Sequence, residues 1–386
     1  MPVEQLKQMH ASLLDCVACL SSDDLREQYH DDLSPLGWHL GHVAYIGQYW
    51  LHEVIRGDAS RTAGLDQQFL PELIEKTRRQ SLPGIDDLDV IADAYRDIET
   101  TLEALQADER QGHQLLERDY IGWFLLQHAA QHLEIMHMVL QQRQLKTLDH
   151  SLFPEAVTGT LSEPEPPRVP ALHIESGSYP VGFQGVQAYD NECPGFSRQL
   201  EAFLIALTPV SNAEYLGFIR AGGYTHEAYW SEAGWQWRQA NRVDSPQHWH
   251  AKGDSWLQVT PTGVTALPAG DAVNGIAWHE AEAFAAYAGC RLPHELEWET
   301  AMKLSVDFTS TTGGGWEWCA NTLYPYEGFQ AFPYQRYSQP WFDQRHYVLR
   351  GAGPYTDACV RRPSFRNFYT ADKRYAFSGL RLAASR

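Results

Sequence analysis

The side chains of this 386-residue sequence best equipped for chemistry are a histidine pair, His128 and His132, in Gln127-His128-Ala129-Ala130-Gln131-His132-Leu133-Glu134. Two further histidines lie far upstream in Trp38-His39-Leu40-Gly41-His42. Residues four apart on an α-helix sit one turn above each other on the same face. Two imidazoles so placed can bind one metal ion, as the paired histidines of HExxH metalloenzymes do. A third histidine from a neighbouring helix would complete a face of three nitrogens and leave other coordination positions open to substrate. His39 and His42 are three apart and share a general direction, so periodicity leaves either as the third ligand. Glu134 is rotated off the ligand face, which gives it a supporting or helix-surface role. His137, two and a half turns beyond His128, points to the opposite side and reads as structural or solvated. Three neutral nitrogens suit zinc, with hydrolytic or Lewis-acid chemistry, as well as ferrous iron, with oxygen chemistry.

Positioning such a site needs helices, and the first 148 residues read almost wholly as helix. The expected segments run from about Val3 to Ser21, from Ser34-Pro35 to about Arg56, from Ile85 to Ala107 and from Asp119 to Lys146. Ser34 is a good N-cap and Pro35 suits the first helical position. Four such helices form an antiparallel bundle, whose core commonly builds metal sites from facing side chains. The segment Leu161-Ser162-Glu163-Pro164-Glu165-Pro166-Pro167-Arg168-Val169-Pro170 cannot continue a helix and reads as an extended linker. Beyond Ala171 the texture changes to Gly, Trp, Tyr and short strand-like runs, with helices expected near Ser211–Ala221 and His279–Ala288. That half reads as α+β. The expected domains are therefore a bundle at 1–150, a proline-rich linker at 151–170 and a second domain at 171–386.

The net charge of −19 and the lack of basic runs argue against nucleic acid as a partner. No stretch approaches the roughly 18 apolar residues of a membrane span. The sequence begins without a basic-then-apolar secretory layout, so a cytoplasmic protein is expected. Cys16 and Cys19 form a lone CxxC inside a helix-period segment and read as core or partly buried thiols.

Ser34-Pro35-Leu36-Gly37-Trp38-His39-Leu40-Gly41-His42 resembles the first-ligand motif of the DinB-like bundle in ergothioneine- and ovothiol-type non-haem iron sulfoxide synthases, a family that includes selenoneine-synthase-like relatives. His128-Ala129-Ala130-Gln131-His132-Leu133-Glu134 resembles its H-x-x-Q-H-x-E, with Ala129 where many members have glutamate. The second half is similar to the formylglycine-generating-enzyme (sulfatase-modifying-factor, C-type-lectin-like) domain. The matches begin at Tyr189-Asp190-Asn191-Glu192, Thr208-Pro209-Val210-Ser211-Asn212-Ala213-Glu214-Tyr215 and Trp278-His279-Glu280-Ala281-Glu282-Ala283-Phe284-Ala285. They continue at Arg291-Leu292-Pro293-His294-Glu295-Leu296-Glu297-Trp298-Glu299, Gly315-Trp316-Glu317-Trp318, Val348-Leu349-Arg350-Gly351 and Arg366-Asn367-Phe368.

The resemblance implies an Fe(2+) enzyme that uses O2 to join a thiol or selenol to the imidazole of histidine or a methylated histidine such as hercynine. It places the third ligand on His42, beside His128 and His132. It puts Gln131 against the imidazole substrate and Asn367 near its ammonium, with Phe368 and Tyr369 in the same pocket. The acid is a tyrosine between 324 and 337, with Tyr334 and Tyr337 ranked above Tyr324 and Tyr326. Relatives that use γ-glutamylcysteine carry two arginines before a Leu-Pro step and an Asn-Trp-Asp near the end. Here Lys76-Thr77-Arg78-Arg79 before Leu82-Pro83 offers Arg79, with Lys76 or Arg78 as a second cation, as the contact for the thiol substrate, and Asn367-Phe368-Tyr369 replaces the latter, so γ-glutamylcysteine is disfavoured as donor. The closing segment lacks the copper-binding cysteine pair of formylglycine-generating enzymes, and Cys290, Cys319 and Cys359 read as structural. Two rival readings are a zinc-dependent DinB-like thiol transferase or hydrolase and a non-catalytic small-ligand-binding protein.

Overall fold

Helix α1 (Pro2–Asp15), α2 (Leu36–Gln48), α3 (Leu88–Ala107) and α4 (Tyr120–Thr147) form where the sequence anticipates four long helices. The structure is a computed structural model that describes residues 2–107, 112–147 and 161–385. On α3 the buried positions Ile91, Tyr95, Ile98, Leu102 and Leu105 recur at three- and four-residue steps, the pattern of a helix with one face on a core. That face packs on both α1 and α2. By contrast, every residue of α2 is buried, so it has no solvent face to advertise itself in the sequence.

Three boundaries differ from expectation. Helix α1 stops at Asp15 because Ser21 belongs to the next element. Its side chain and that of Asp24 make a reciprocal cap on the short helix Ser22–Arg26. Helix α2 begins at Leu36 with Pro35 at the cap position and no side-chain cap. The Ser34 hydroxyl, expected to cap, instead accepts a hydrogen bond from Arg79 Nη1 at 2.6 Å. Beyond Gln48 the chain continues as a π-helix over Tyr49–Ile55. At the start of α2 the backbone runs unusually close to its neighbours. A Cβ on Gly37 would lie 2.1 Å from the Ile85 carbonyl oxygen and 3.2 Å from that of Leu25.

The chain divides into two compact units, Met1–Lys146 with Asp357–Val360, and Thr147–Thr356 with Arg361–Arg386. Residues 151–160 of the expected linker lie outside the described residues, and residues 162–170 take no regular structure.

The second unit carries helices α5 (Asn212–Arg220), α6 (Glu232–Asn241), α7 (Trp278–Tyr287) and α8 (Glu295–Leu304). Its strands are β1 (Leu172–Ile174), β2 (Gly177–Val181), β3 (Phe196–Leu200), β4 (Phe203–Ile205), β5 (Trp249–Lys252), β6 (Ser255–Thr260), β7 (Gly263–Ala266), β8 (Gly315–Thr322), β9 (His346–Ala352), β10 (Asn367–Thr370), β11 (Ser378–Gly379) and β12 (Ala383–Ser385). They form small sheets ordered β10-β9-β8-β11, β1-β4-β12, β5-β6-β7 and β2-β3. Helices α5 and α7 were anticipated. Helix α6 has a glycine inside it and α8 follows a proline, which hid both.

Short strands bury little, and buried ion pairs tie these sheets together. Glu295 accepts from Arg366 Nε and Nη2 at 2.8 and 2.7 Å and from Arg350 Nη2 at 2.8 Å. Glu317 accepts from Arg381 Nε and Nη2 at 2.7 and 2.8 Å and from Trp298 Nε1 at 2.6 Å. Burial opposes the Glu295 charge, but Arg366 and Arg350 outweigh it and hold the carboxyl down at about 2. Glu295, Glu317, Arg350 and Arg366 of the quoted motifs are therefore scaffold.

Two substitutions probe these constraints by chemical denaturation. Gly37→Ala forces a methyl onto backbone that cannot rotate away and should cost about 1–3 kcal/mol. Glu295→Gln leaves the Arg366 guanidinium without its anion and Arg350 with Glu299 alone, and should cost about 3–5 kcal/mol.

Candidate metal centre

Helices α2 and α4 bring His42, His128 and His132 together, with one ligand atom from each lying within 4.8 Å of the others. The helical i,i+4 spacing puts the His128 and His132 rings 4.5 Å apart, and His42 comes to 5.1 and 4.8 Å of them. Nε2 of His42 is 3.2 Å from Nε2 of His128. Two nitrogens each about 2.1 Å from one ion stand about 3.0 Å apart at a right angle and about 3.4 Å apart in a tetrahedron. The donor set thus fits a nitrogen-preferring divalent ion of either geometry. His42 is buried, while the His128 and His132 residues keep part of their surface accessible.

The far sides of two rings are tied down. Nδ1 of His42 donates to the Phe69 carbonyl at 2.7 Å, which leaves Nε2 as the free lone pair. Nδ1 of His132 lies 3.0 Å from Nδ1 of His39. Trp38 stacks on His42 with centroids 4.8 Å apart, and the Arg79 guanidinium lies 3.9 Å from the Trp38 centroid on this stack. Burial pushes the His42 pKa down to about 4. Burial, followed by the neighbouring imidazoles, drives His128 and His132 well below the usual value. Burial, His42 and Arg79 do the same to His39, with the Ser34 backbone acting the other way. All four rings are therefore neutral at pH 7, the state in which a histidine can coordinate a metal.

The other expected residues fall as follows. Gln131 is half-buried on α4 between the two paired histidines, its Nε2 donating to the Gln127 carbonyl at 3.4 Å. His137 is bonded within its own helix, Nδ1 to the Leu133 carbonyl at 2.9 Å, and Glu134 is buried. Arg79 is buried, with its donors on Ser34 Oγ, the Pro71 carbonyl at 2.9 Å and the Ile74 carbonyl at 3.1 Å. Burial lowers its pKa to about 10, so it keeps its charge.

In the second unit, Asn367, Phe368 and Tyr369 are half-buried on β10, an edge strand paired antiparallel with β9. The Asn367 side chain accepts from the Phe368 amide at 2.9 Å. Tyr337 stacks on Tyr189 with centroids 4.3 Å apart, and Tyr334 is exposed. Tyr326 is buried in a small apolar cluster with its hydroxyl 3.1 Å from Arg350, a packing role. Burial and the Glu295 charge lift Tyr324 to about 12. Of the CxxC, Cys16 is half-buried and burial raises its thiol to about 11, while Cys19 is exposed rather than packed. Two participants escaped sequence reading. The Phe69 carbonyl is a backbone atom with no residue signature, and Trp38 was legible only as part of a motif.

Residues 5–136 match the DinB superfamily, and residues 160–306 match the sulfatase-modifying factor enzyme 1-like domain. A DinB-type bundle followed by such a domain defines the class of protein. The chain is 31% identical to hercynine oxygenase of Mycolicibacterium thermoresistibile over 93% of this chain and 89% of that protein. It is 30% identical to hercynine oxygenase of Mycobacterium tuberculosis over 92% of each. Half of it is 29% identical to ergothioneine biosynthesis protein 1 of Schizosaccharomyces pombe, covering 27% of that protein. The chain belongs to the hercynine oxygenase family and is an enzyme of the oxidoreductase type. Among the described residues, no helix is long and apolar enough to cross a membrane.

The neutral histidines give a signed pH dependence. Below about pH 6.5 the unfolded chain takes up protons that the folded rings refuse, as His42 does down to about pH 4. Stability of the metal-free chain should fall with falling pH across that window, by up to about 1.4 kcal/mol per pH unit per histidine, and be flat above it. Urea midpoints between pH 7.5 and 4.5 should drop less steeply in His42→Gln than in the wild type.

Proposed function

We propose that this enzyme is an iron(II)- and O2-dependent sulfoxide synthase. It would join a thiol or selenol to the imidazole of histidine or a methylated histidine such as hercynine. The observation that carries this reading is the three-nitrogen face of His42, His128 and His132 in a chain related along nearly its whole length to hercynine oxygenases. For a thiol the reaction balances as thiol plus imidazole C–H plus O2 giving the imidazole sulfoxide plus water. One oxygen atom goes to sulfur and the other leaves reduced.

His42, His128 and His132 would hold the ion. Ferrous iron bound there supplies open coordination positions and the redox chemistry of oxygen. Gln131 lies on the helix turn between two ligands and is read as the anchor for the substrate imidazole. Asn367, with Phe368 and Tyr369, is read as the contact for its amino-acid end. The acid is read as Tyr334 or Tyr337, since a phenol can release a proton from an otherwise apolar setting. Arg79 is read as a brace for Trp38, its Nη1 and Nη2 bonded to Ser34 and to the Pro71 and Ile74 carbonyls. Cytoplasm, with its reduced thiols, suits the six free cysteines and a thiol substrate.

Anaerobic loading with ferrous iron, followed by oxygen-uptake assays with hercynine or histidine and a panel of thiols and selenols, tests the reading. Uptake should require iron and both organic substrates, and His128→Ala should abolish it. Zinc retention without oxygen consumption would favour the transferase or hydrolase reading instead. Replacing the acid by phenylalanine should slow turnover by about 10²–10⁴-fold. If neither Tyr334→Phe nor Tyr337→Phe does so, the tyrosine assignment falls.

A further inference from the structure

We infer that the first unit holds a second binding site, a cavity between α2 and α3 that takes a small organic cation, a protonated amine on an aromatic or branched apolar body. The cavity measures about 500 Å³, within the range of small-molecule sites, and none of the residues lining it is a proposed metal ligand, substrate contact or acid. Small residues make the room, Gly41 and Ala44 on α2 and Ala94 on α3. Protein interiors are close-packed, so a space this large beside two helices in contact is a built feature and not a packing gap. A Cβ on Gly41 would overlap the Phe69 ring, so glycine lets that ring lie against α2 as one wall. Tyr45 stands beside it, with ring centroids 6.2 Å apart. Val90 on α3 brings an apolar side chain to the mouth while 61% exposed.

The polar groups decide the class of occupant. Asp93 and Asp97 line the cavity against a single guanidinium, that of Arg61. Oδ2 of Asp97 lies 2.7 Å from Nε2 of His52, whereas Oδ1 has only Arg61 Nη2 at 3.6 Å, beyond hydrogen-bond reach. Gln48 lines the cavity at 8% exposure, and its one hydrogen bond among the described residues is a long one, Nε2 to Asp97 at 3.5 Å. The Gln48 carbonyl oxygen and Asp97 Oδ1 are thus acceptors without a donor on the protein. An ammonium group offers several donors and the matching charge. Burial, then Asp66, Glu53, Tyr49 and Glu72, push the Tyr45 phenol up to about 12, so further carboxylates act on the same space. A cation also gains from the Tyr45 and Phe69 ring faces, while an anion would meet two carboxylates for one guanidinium.

The test titrates the full chain at neutral pH with phenethylamine, which is then protonated, and with phenylethanol, its neutral counterpart. The amine should saturate with a Kd of about 1 mM or below and bind about tenfold or more tighter than the alcohol. In the wild type the ¹³C-methyl shifts of Ile91 and Leu65, which line the cavity, should move with the amine and so locate it without any variant. Ala94→Phe fills the space from α3 and should abolish saturation. Asp97→Asn keeps an acceptor for His52 and should weaken the amine about tenfold while leaving the alcohol unchanged. Equal affinity for amine and alcohol overturns the inference, as does undiminished binding to an Ala94→Phe protein that melts like wild type. Saturation that leaves the Ile91 and Leu65 methyl groups unmoved puts the amine elsewhere and overturns it too. So does an amine affinity untouched by Asp97→Asn, or no saturation by about 10 mM. Should Ala94→Phe fail to fold, Asp97→Asn and the methyl shifts decide the outcome without it.

Discussion

An imidazole moved from water into a helix bundle stays neutral, and both of its nitrogens then have to be accounted for. That single constraint organises the first unit. His42 discharges it through the Phe69 carbonyl, which leaves its other nitrogen free. His132 discharges it through His39 on the facing helix. Neighbouring rings add mutual repulsion to the effect of burial, so none of the four carries charge at neutral pH. A cation entering such a cluster meets neutral rings and not imidazolium ions. The close backbone approach at Gly37 and the complete burial of α2 fix the helix that carries two of the four rings.

The second unit solves a different problem. Its strands are short and its sheets small, so apolar burial is divided among several patches. Carboxylates buried under paired guanidinium groups join segments distant in sequence, as when Glu192 accepts from Arg362 Nε at 2.8 Å and Ser364 Oγ at 2.7 Å. Another carboxylate, Glu280, accepts from Arg374 Nε at 2.8 Å and Tyr224 Oη at 2.6 Å. Breaking such a pair strands a charge in a low-dielectric interior, which makes each one a strong constraint on the path of the chain. The family motifs of this half are, in physical terms, largely a record of those pairs.

Much of this was legible in the residues, for stated reasons. The i,i+4 step of His128 and His132 is local, so sequence alone fixes their relative direction. The choice between His39 and His42 is not local. It depends on where α4 and the Phe69 backbone lie, and only three-dimensional placement separates the ring whose Nε2 faces His128 from the ring whose Nδ1 faces His132. Helix α3 was readable from its stripe, whereas the end of α1 was missed because Ser21 and Asp24 start a new helix inside a run of continuing apolar period. Ser34 looked like a cap until Arg79, far along the chain, claimed its hydroxyl.

The π-helix over Tyr49–Ile55 has a consequence for how this chain can change length. Bonding five residues ahead rather than four, such a stretch holds one residue more than an α-helix covering the same span. A one-residue deletion there can be absorbed by closing the segment to ordinary α winding, rotating only what comes after it. His39 and His42 both lie upstream and would keep their direction. A one-residue change just past the ligand helix would thus leave the direction of His39 and His42 unaltered.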